Sequence, residues 1–193
     1  MSKRIALLSA VAFSALAITA SVVAPASAQD KMKSEMSGEK TVMVGGAAMF
    51  PSKNIIQNAV NSKDHTTLVA AVKAAGLVDT LEGKGPFTVF APTNAAFGKL
   101  PAGTVDTLVK PENKATLTKI LTYHVVPGKL EASDLTDGKK LKTVEGEELT
   151  VKKSGDKVMI VDAKGGSSTV TIPNVNQSNG VIHVVDTVLM PAS

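Results

Sequence analysis

Residues 85–101 read GPFTVFAPTNAAFGKLP, and this stretch decides how the chain folds. A Gly-Pro turn dipeptide opens it. The run from Phe87 to Ala91 is apolar and rich in β-prone residues, which predicts a buried strand. Pro92 has no N–H to donate to a strand ladder, so we expect the strand to end there.

A short helix is predicted directly after this strand. Thr93 or Asn94 can cap it, because either side chain can accept a hydrogen bond from a free backbone N–H of the first turn. Three of the chain's five phenylalanines lie in the stretch: Phe87, Phe90 and Phe97. Since aromatic rings carry the largest apolar surfaces, we expect the core to form around this junction.

Residues 1–28 carry the pattern of an export signal. Lys3 and Arg4 precede a long apolar run, and Ala-Ser-Ala at 26–28 suits a signal peptidase. The alternative is an N-terminal membrane anchor, since the run is almost long enough to span a bilayer. The small residues at the end of the apolar run favour cleavage. We therefore expect an exported protein that has no remaining membrane span. It would be periplasmic, or extracellular at the cell surface.

The rest of the chain divides into a tail and one domain. Residues 29–40 are polar, charged and without periodicity, which predicts a disordered spacer. Residues 41–193 have the length of a single domain.

The chain contains no cysteine, so neither a disulfide nor a cysteine-linked lipid anchor can form. Arg4 is the only arginine, tryptophan is absent and the lysines are interspersed with acidic residues, so no nucleic-acid partner is expected.

The hydrophobic pattern changes from helical to alternating near residue 125. Before that point it predicts a strand at 41–44 and helices at 54–61, 65–75, 104–110 and from 111 to about 124. After it, strands are predicted at 139–144, 148–152, 157–161, 169–172 and 181–189. Asn179-Gly180 is the strongest tight-turn signal. Together these elements predict an α+β domain with mainly antiparallel sheets flanked by several short helices.

The sequence offers no catalytic or metal-binding constellation. The three histidines (His65, His124 and His183) are far apart and have no carboxylate at ligand spacing. No nucleophile motif occurs either, so we predict no enzyme, no cofactor and no metal. His65 is expected to be exposed in the first turn of its helix. His124 falls on the apolar stripe of its helix and is predicted to be buried.

Three ordered segments resemble the signature motifs of the fasciclin domain. They are residues 88–97 (TVFAPTNAAF), 121–126 (LTYHVV) and 179–189 (NGVIHVVDTVL). The resemblance implies a wedge of β-sheets flanked by helices, with the first and last signature strands at its centre. It implies a structural role for the following residues: Phe87, Phe90, Pro92, Thr93, Asn94, Phe97, Asn179, Gly180, His183 and Asp186.

The resemblance also implies adhesion to a protein or polysaccharide of the cell surface or matrix. In animal members, integrin contacts are ascribed to the tyrosine–histidine motif, here Tyr123 and His124, and to an acidic pentapeptide, here residues 172–176. Asn174 replaces the acidic residue, so no carboxylate for an integrin remains. The candidate contact residues are therefore Tyr123, His124, Pro173 and Asn174.

Two alternatives remain open from the sequence. His124 is either part of an exposed adhesion surface or a buried residue that stabilises the fold. In the second case we expect it to form a hydrogen bond with residues 173–174, because an unpaired buried imidazole is costly. The function is either adhesion or, in a different class, periplasmic transport of a small apolar ligand held between sheet and helices. An enlarged apolar cavity would favour the carrier, and a filled core would favour adhesion.

Overall fold

The computed structural model describes residues 40–192. The predicted export signal, and all of the predicted spacer except Lys40, lie outside the described residues. Residues 40–192 form an α+β fold in which a seven-stranded sheet and a two-stranded hairpin pack with short helices.

The first half of the described chain is mainly helical. Its elements are β1 (Val42–Val44), β2 (Ala47–Met49), α1 (Ile55–Ala59), a 3-10 turn (Lys63–His65), α2 (Thr66–Ala75), α3 (Val78–Glu82), β3 (Phe87–Pro92), α4 (Asn94–Gly98), α5 (Thr104–Leu108), a second 3-10 turn (Pro111–Asn113) and α6 (Lys114–Tyr123). The predicted helices are all present, and their ends differ from the predicted ones by a few residues.

The second half is built of strands. Its elements are β4 (Val125–Pro127), β5 (Lys140–Lys142), β6 (Glu148–Ser154), β7 (Lys157–Val161), β8 (Ser167–Gln177) and β9 (Gly180–Val185). Strand β8 is longer than the predicted 169–172, and β9 ends earlier than the predicted residue 189.

Strands β3 and β9 are neighbouring interior strands of the seven-stranded sheet, the second and third in the order β4-β3-β9-β8-β7-β6-β5. They pair in parallel, with Phe87 opposite Gly180, whereas the other neighbours pair antiparallel. All six residues of β9 are buried, and all except His183 are apolar, because a strand covered on both faces has no side exposed to solvent. The predicted α+β fold is confirmed, and both signature strands lie inside the sheet, side by side, rather than at its edge.

The sheet curls until its two edges nearly meet. The backbone N–H of Val144, just after β5, donates to the carbonyl of Val125 in β4 at 2.8 Å. Side chains alternate across the curled sheet, so the core has two parts. Phe90 points into the interior of the curl with Tyr123 and Val185, whereas the neighbours Val89 and Ala91 pack on the other side against the helices.

The junction after β3 works as a scaffold. Thr93 caps α4 as predicted, since its Oγ1 accepts the N–H of Ala96 at 3.2 Å. Asn94 reaches outside its own helix: its Oδ1 accepts the N–H of Thr67 at 3.0 Å, and its Nδ2 donates to the carbonyl of Lys63 at 2.8 Å. Asn94 therefore ties α4 to the start of α2.

Asn179 and Gly180 join the two halves of the domain. The Asn179 side chain accepts the N–H of Ile55 at 3.1 Å and donates to the carbonyls of Leu81 at 2.6 Å and Gly83 at 3.0 Å. Gly180 has a φ of +159°, and a Cβ at this position would collide with the Phe87 carbonyl. Only glycine therefore allows β9 to approach β3 this closely.

Candidate functional site

Tyr123 is fully buried, with 0% of its surface exposed. Its hydroxyl accepts the backbone N–H of Ala163 at 2.8 Å, which holds the segment that follows β7. Burial raises the pKa of Tyr123 above its ordinary value of 10.0. The prediction that Tyr123 belongs to a contact surface is therefore wrong, because the ring faces the core.

His124 is buried as predicted, with 2% of its surface exposed. Its Nε2 accepts the N–H of Leu189 at 3.0 Å, so the proton sits on Nδ1, which donates to the Ile120 carbonyl at 2.8 Å. Burial lowers the pKa of His124 to about 4. His124 therefore anchors another segment through a hydrogen bond, as predicted, but that segment is the one that follows β9. Its predicted roles as a surface residue and as the partner of residues 173–174 are both wrong.

His183 takes the role that was predicted for His124. Its Nδ1 accepts the N–H of Asn174 at 3.3 Å, and its Nε2–H donates to the Leu130 carbonyl at 2.8 Å. The ring stacks on Phe90 with 5.7 Å between centroids and 26° between planes. Burial lowers the pKa of His183, although the Leu130 carbonyl and the charge of Glu131 oppose that effect.

Pro173 and Asn174 lie at the surface, where β8 bulges away from regular pairing with β9. The register shifts between Ile172 and Val175, and Asn174 has a φ of +56°. Its side-chain Oδ1 accepts the N–H of Ala132 at 2.7 Å. Of the four predicted contact residues, Pro173 is therefore exposed and Asn174 is half-buried, held in place by hydrogen bonds on both sides.

An open cleft of about 330 Å³ lies beside Pro173. Its lining comes from the segment between β4 and β5, from the β6–β7 hairpin and from β8: Ala132, Ser133, Lys153, Asp156, Val158, Val170, Thr171 and Pro173. Sequence reasoning identified only Pro173 among these. The others lie in three separate segments and match no motif, so no local signal in the sequence could have found them.

The space between the sheet and the helices is nearly filled. The apolar cavity there has a volume of about 30 Å³, which is room for roughly one or two water molecules. His65 lines this cavity and is only 3% exposed, with its Nδ1 2.9 Å from the Ser62 hydroxyl, so the prediction that it is exposed is wrong. Burial lowers the pKa of His65. A small apolar ligand would not fit, so nothing here favours the carrier alternative.

Within residues 40–192, no three histidine, aspartate or glutamate side chains are grouped closely enough to hold a metal ion. None of the helices in the same residues has the length and hydrophobicity needed to cross a membrane.

The sequence pattern of the Fasciclin domain matches residues 63–191. The chain therefore belongs to the fasciclin-domain family, as its motifs predicted. Protein sll1483 of Synechocystis sp. is 50% identical over 153 residues, which cover 79% of this chain and 82% of that relative.

Two further relatives come from Mycobacterium bovis. Immunogenic protein MPB70 is 40% identical over 138 residues, which cover 69% of this chain and 66% of MPB70. Cell surface glycolipoprotein MPB83 is 40% identical over 153 residues, which cover 77% of this chain and 64% of MPB83.

The fold also resembles a solved structure, the FAS1 domain pair of the insect cell adhesion molecule fasciclin I. The TM-score is 0.65 at 19% sequence identity, and the match covers 73% of this chain and 52% of that chain. At this identity the likeness concerns the fold alone.

Proposed function

We propose that this protein is an exported, non-catalytic adhesion domain that binds a protein or polysaccharide of the cell surface or matrix. The observation that carries the proposal is the open, polar-lined cleft beside Pro173, which contrasts with the nearly filled space between sheet and helices. A ligand can therefore be engaged at the surface rather than enclosed. MPB83, a cell surface glycolipoprotein, and fasciclin I, a cell adhesion molecule, point in the same direction.

The polar groups also fit a binding role better than catalysis. The three histidines are buried, and His124 and His183 each have both ring nitrogens committed to backbone partners. The cleft contains Ser133 and Thr171, but no histidine lines it to serve as their base.

Binding to whole cells tests the adhesion proposal. We would express the full chain with a C-terminal tag in a host that exports it, purify the exported form and label it. Saturable binding to the producing cells or to their matrix is expected. If bound protein only rises linearly with concentration, with no competition by unlabelled protein, the adhesion proposal is wrong.

The site of signal cleavage tests export independently. N-terminal sequencing of the exported form is expected to begin at Gln29, directly after the Ala-Ser-Ala segment. An uncleaved chain found only inside the cells would contradict the proposed export.

A further inference from the structure

The cleft exists because two neighbouring strands separate. Strands β7 and β8 pair only from Val161 opposite Ser167 to Met159 opposite Thr169. Beyond that point β7 continues toward Lys157 along β6, whereas β8 continues along β9. The gap between the diverging strands is the cleft, and the segment carrying Ala132 and Ser133 closes one end.

The lining of the cleft combines an apolar floor with a polar rim. Val158, Val170 and Pro173 supply the apolar part. Lys153 and Asp156 supply a cation and an anion, and neither forms an ion pair with another residue between 40 and 192. The rim therefore offers strong donors and strong acceptors at once, beside surface that can pack against C–H groups.

The edge of β8 at the cleft is unsuited to the addition of a peptide strand. Pro173 has no N–H to pair with an incoming strand, and the bulge around Asn174 breaks the regular spacing of the backbone groups. Lysine and proline at an open edge are among the features by which proteins prevent strand addition. Recognition in the cleft must therefore come from side chains, which argues against an extended peptide.

The walls of the cleft are held in place before any ligand binds. Asn174 receives the N–H of Ala132 on one side and donates its own N–H to His183 on the other. His183 also donates to the Leu130 carbonyl, so one buried ring fixes both walls. A preorganised site loses little entropy on binding, which is typical of sites that select a ligand by its shape.

We propose that this cleft binds one or two sugar units of a polysaccharide. Asp156 accepts hydrogen bonds from ring hydroxyls, Lys153 donates to ring oxygens or hydroxyls, and the apolar floor packs against the C–H face of the ring. A volume of about 330 Å³ lies at the small end of ligand sites, which suits a short saccharide segment. The inference rests on the proposed adhesion function and specifies its ligand.

Calorimetric titration of the exported protein tests the inference. The probe is an oligosaccharide mixture of one to six units, released by partial acid hydrolysis from the polysaccharide of the producing cells. The test variants are Lys153→Met and Asp156→Asn. The matched control is Lys152→Met, because Lys152 is the exposed neighbour of Lys153 on the same strand, outside the cleft, and its loss changes the net charge equally.

We expect saturable binding by the wild type. Each test variant should raise the dissociation constant about tenfold or more, because each removes a charged hydrogen-bonding group. Lys152→Met should leave the dissociation constant unchanged within about twofold. Equal weakening by both lysine variants would reduce the effect to net charge and overturn the inference. The inference would also be overturned if the protein still bound cells after polysaccharide removal but not after protease treatment. That result would leave the adhesion proposal intact. Absence of cell binding by the wild type would instead refute adhesion itself.

Discussion

The stability of this protein should fall as the pH is lowered from 6.5 to 4, because the folded state keeps His124 uncharged. Its Nε2 accepts the Leu189 N–H, and both atoms are buried, so a proton on Nε2 would break that hydrogen bond inside the core. Burial lowers the pKa of His124 from 6.5 to about 4, and the Ile120 carbonyl and the charge of Asp162 only partly oppose this effect.

The direction follows from proton linkage. Between pH 6.5 and about 4 the unfolded chain holds a proton on His124 that the folded chain does not, so acid favours unfolding. The contribution of uncharged His124 to the free energy of unfolding is fully present above pH 6.5 and is lost as the pH falls to about 4. At roughly 1.4 kcal/mol for each pH unit, this shift of the His124 pKa amounts to about 3–4 kcal/mol. Burial lowers the pKa of His65 and His183 too, so both add to the loss in the same direction.

Urea denaturation of the wild type and of His124→Gln at several pH values between 7 and 4 measures the effect. The variant is expected to be less stable at pH 7, since the Leu189 N–H and Ile120 carbonyl lose their partner. Its stability should then fall by about 3–4 kcal/mol less than that of the wild type across the range. Equal losses in the two proteins would refute the reasoning, as would an NMR titration of wild-type His124 with a midpoint near 6.5.

Three further predictions test the core by denaturation. Phe90→Ala should lower the free energy of unfolding by about 3–5 kcal/mol, because the ring is fully buried. Phe87→Ala, at a half-buried position, should lower it clearly less. The reverse order would mean that the core is misassigned. Asn179→Ala should cost about 3 kcal/mol, since three backbone groups lose their partner, and a loss below about 1 kcal/mol would show that water replaces it. Tyr123→Phe should cost about 1–3 kcal/mol through the orphaned Ala163 N–H yet leave cell binding unchanged, and selective loss of binding would return Tyr123 to the contact surface.

Local signals in the sequence predicted the strand β3 and the helix after it. The apolar run, the proline at its end and the capping threonine act over a few residues, so they need no knowledge of the rest of the chain. The two-residue periodicity likewise revealed most of the strands in the second half. The three fasciclin motifs supplied the family because their order and spacing are visible along the chain.

The partners of the buried polar groups could not be predicted in the same way. His124 and His183 both lie on apolar stretches, so the sequence shows that each needs a buried partner but not which one. The bulge in β8 and the path of the segment after β4 bring Asn174 and Leu130 to His183, while the segment after β9 brings Leu189 to His124.

The sequence by itself determined the local elements, the α+β class and the family, because these depend on residue patterns that are short or ordered along one chain. The tertiary structure alone decided that Tyr123 is internal, that Leu189 is the partner of His124 and that a polar cleft opens beside Pro173. That cleft is made where β7 and β8 separate, and its lining comes from three segments that touch only after the sheet has curled. Side chains that meet through long-range pairing leave no pattern in the sequence around any one of them.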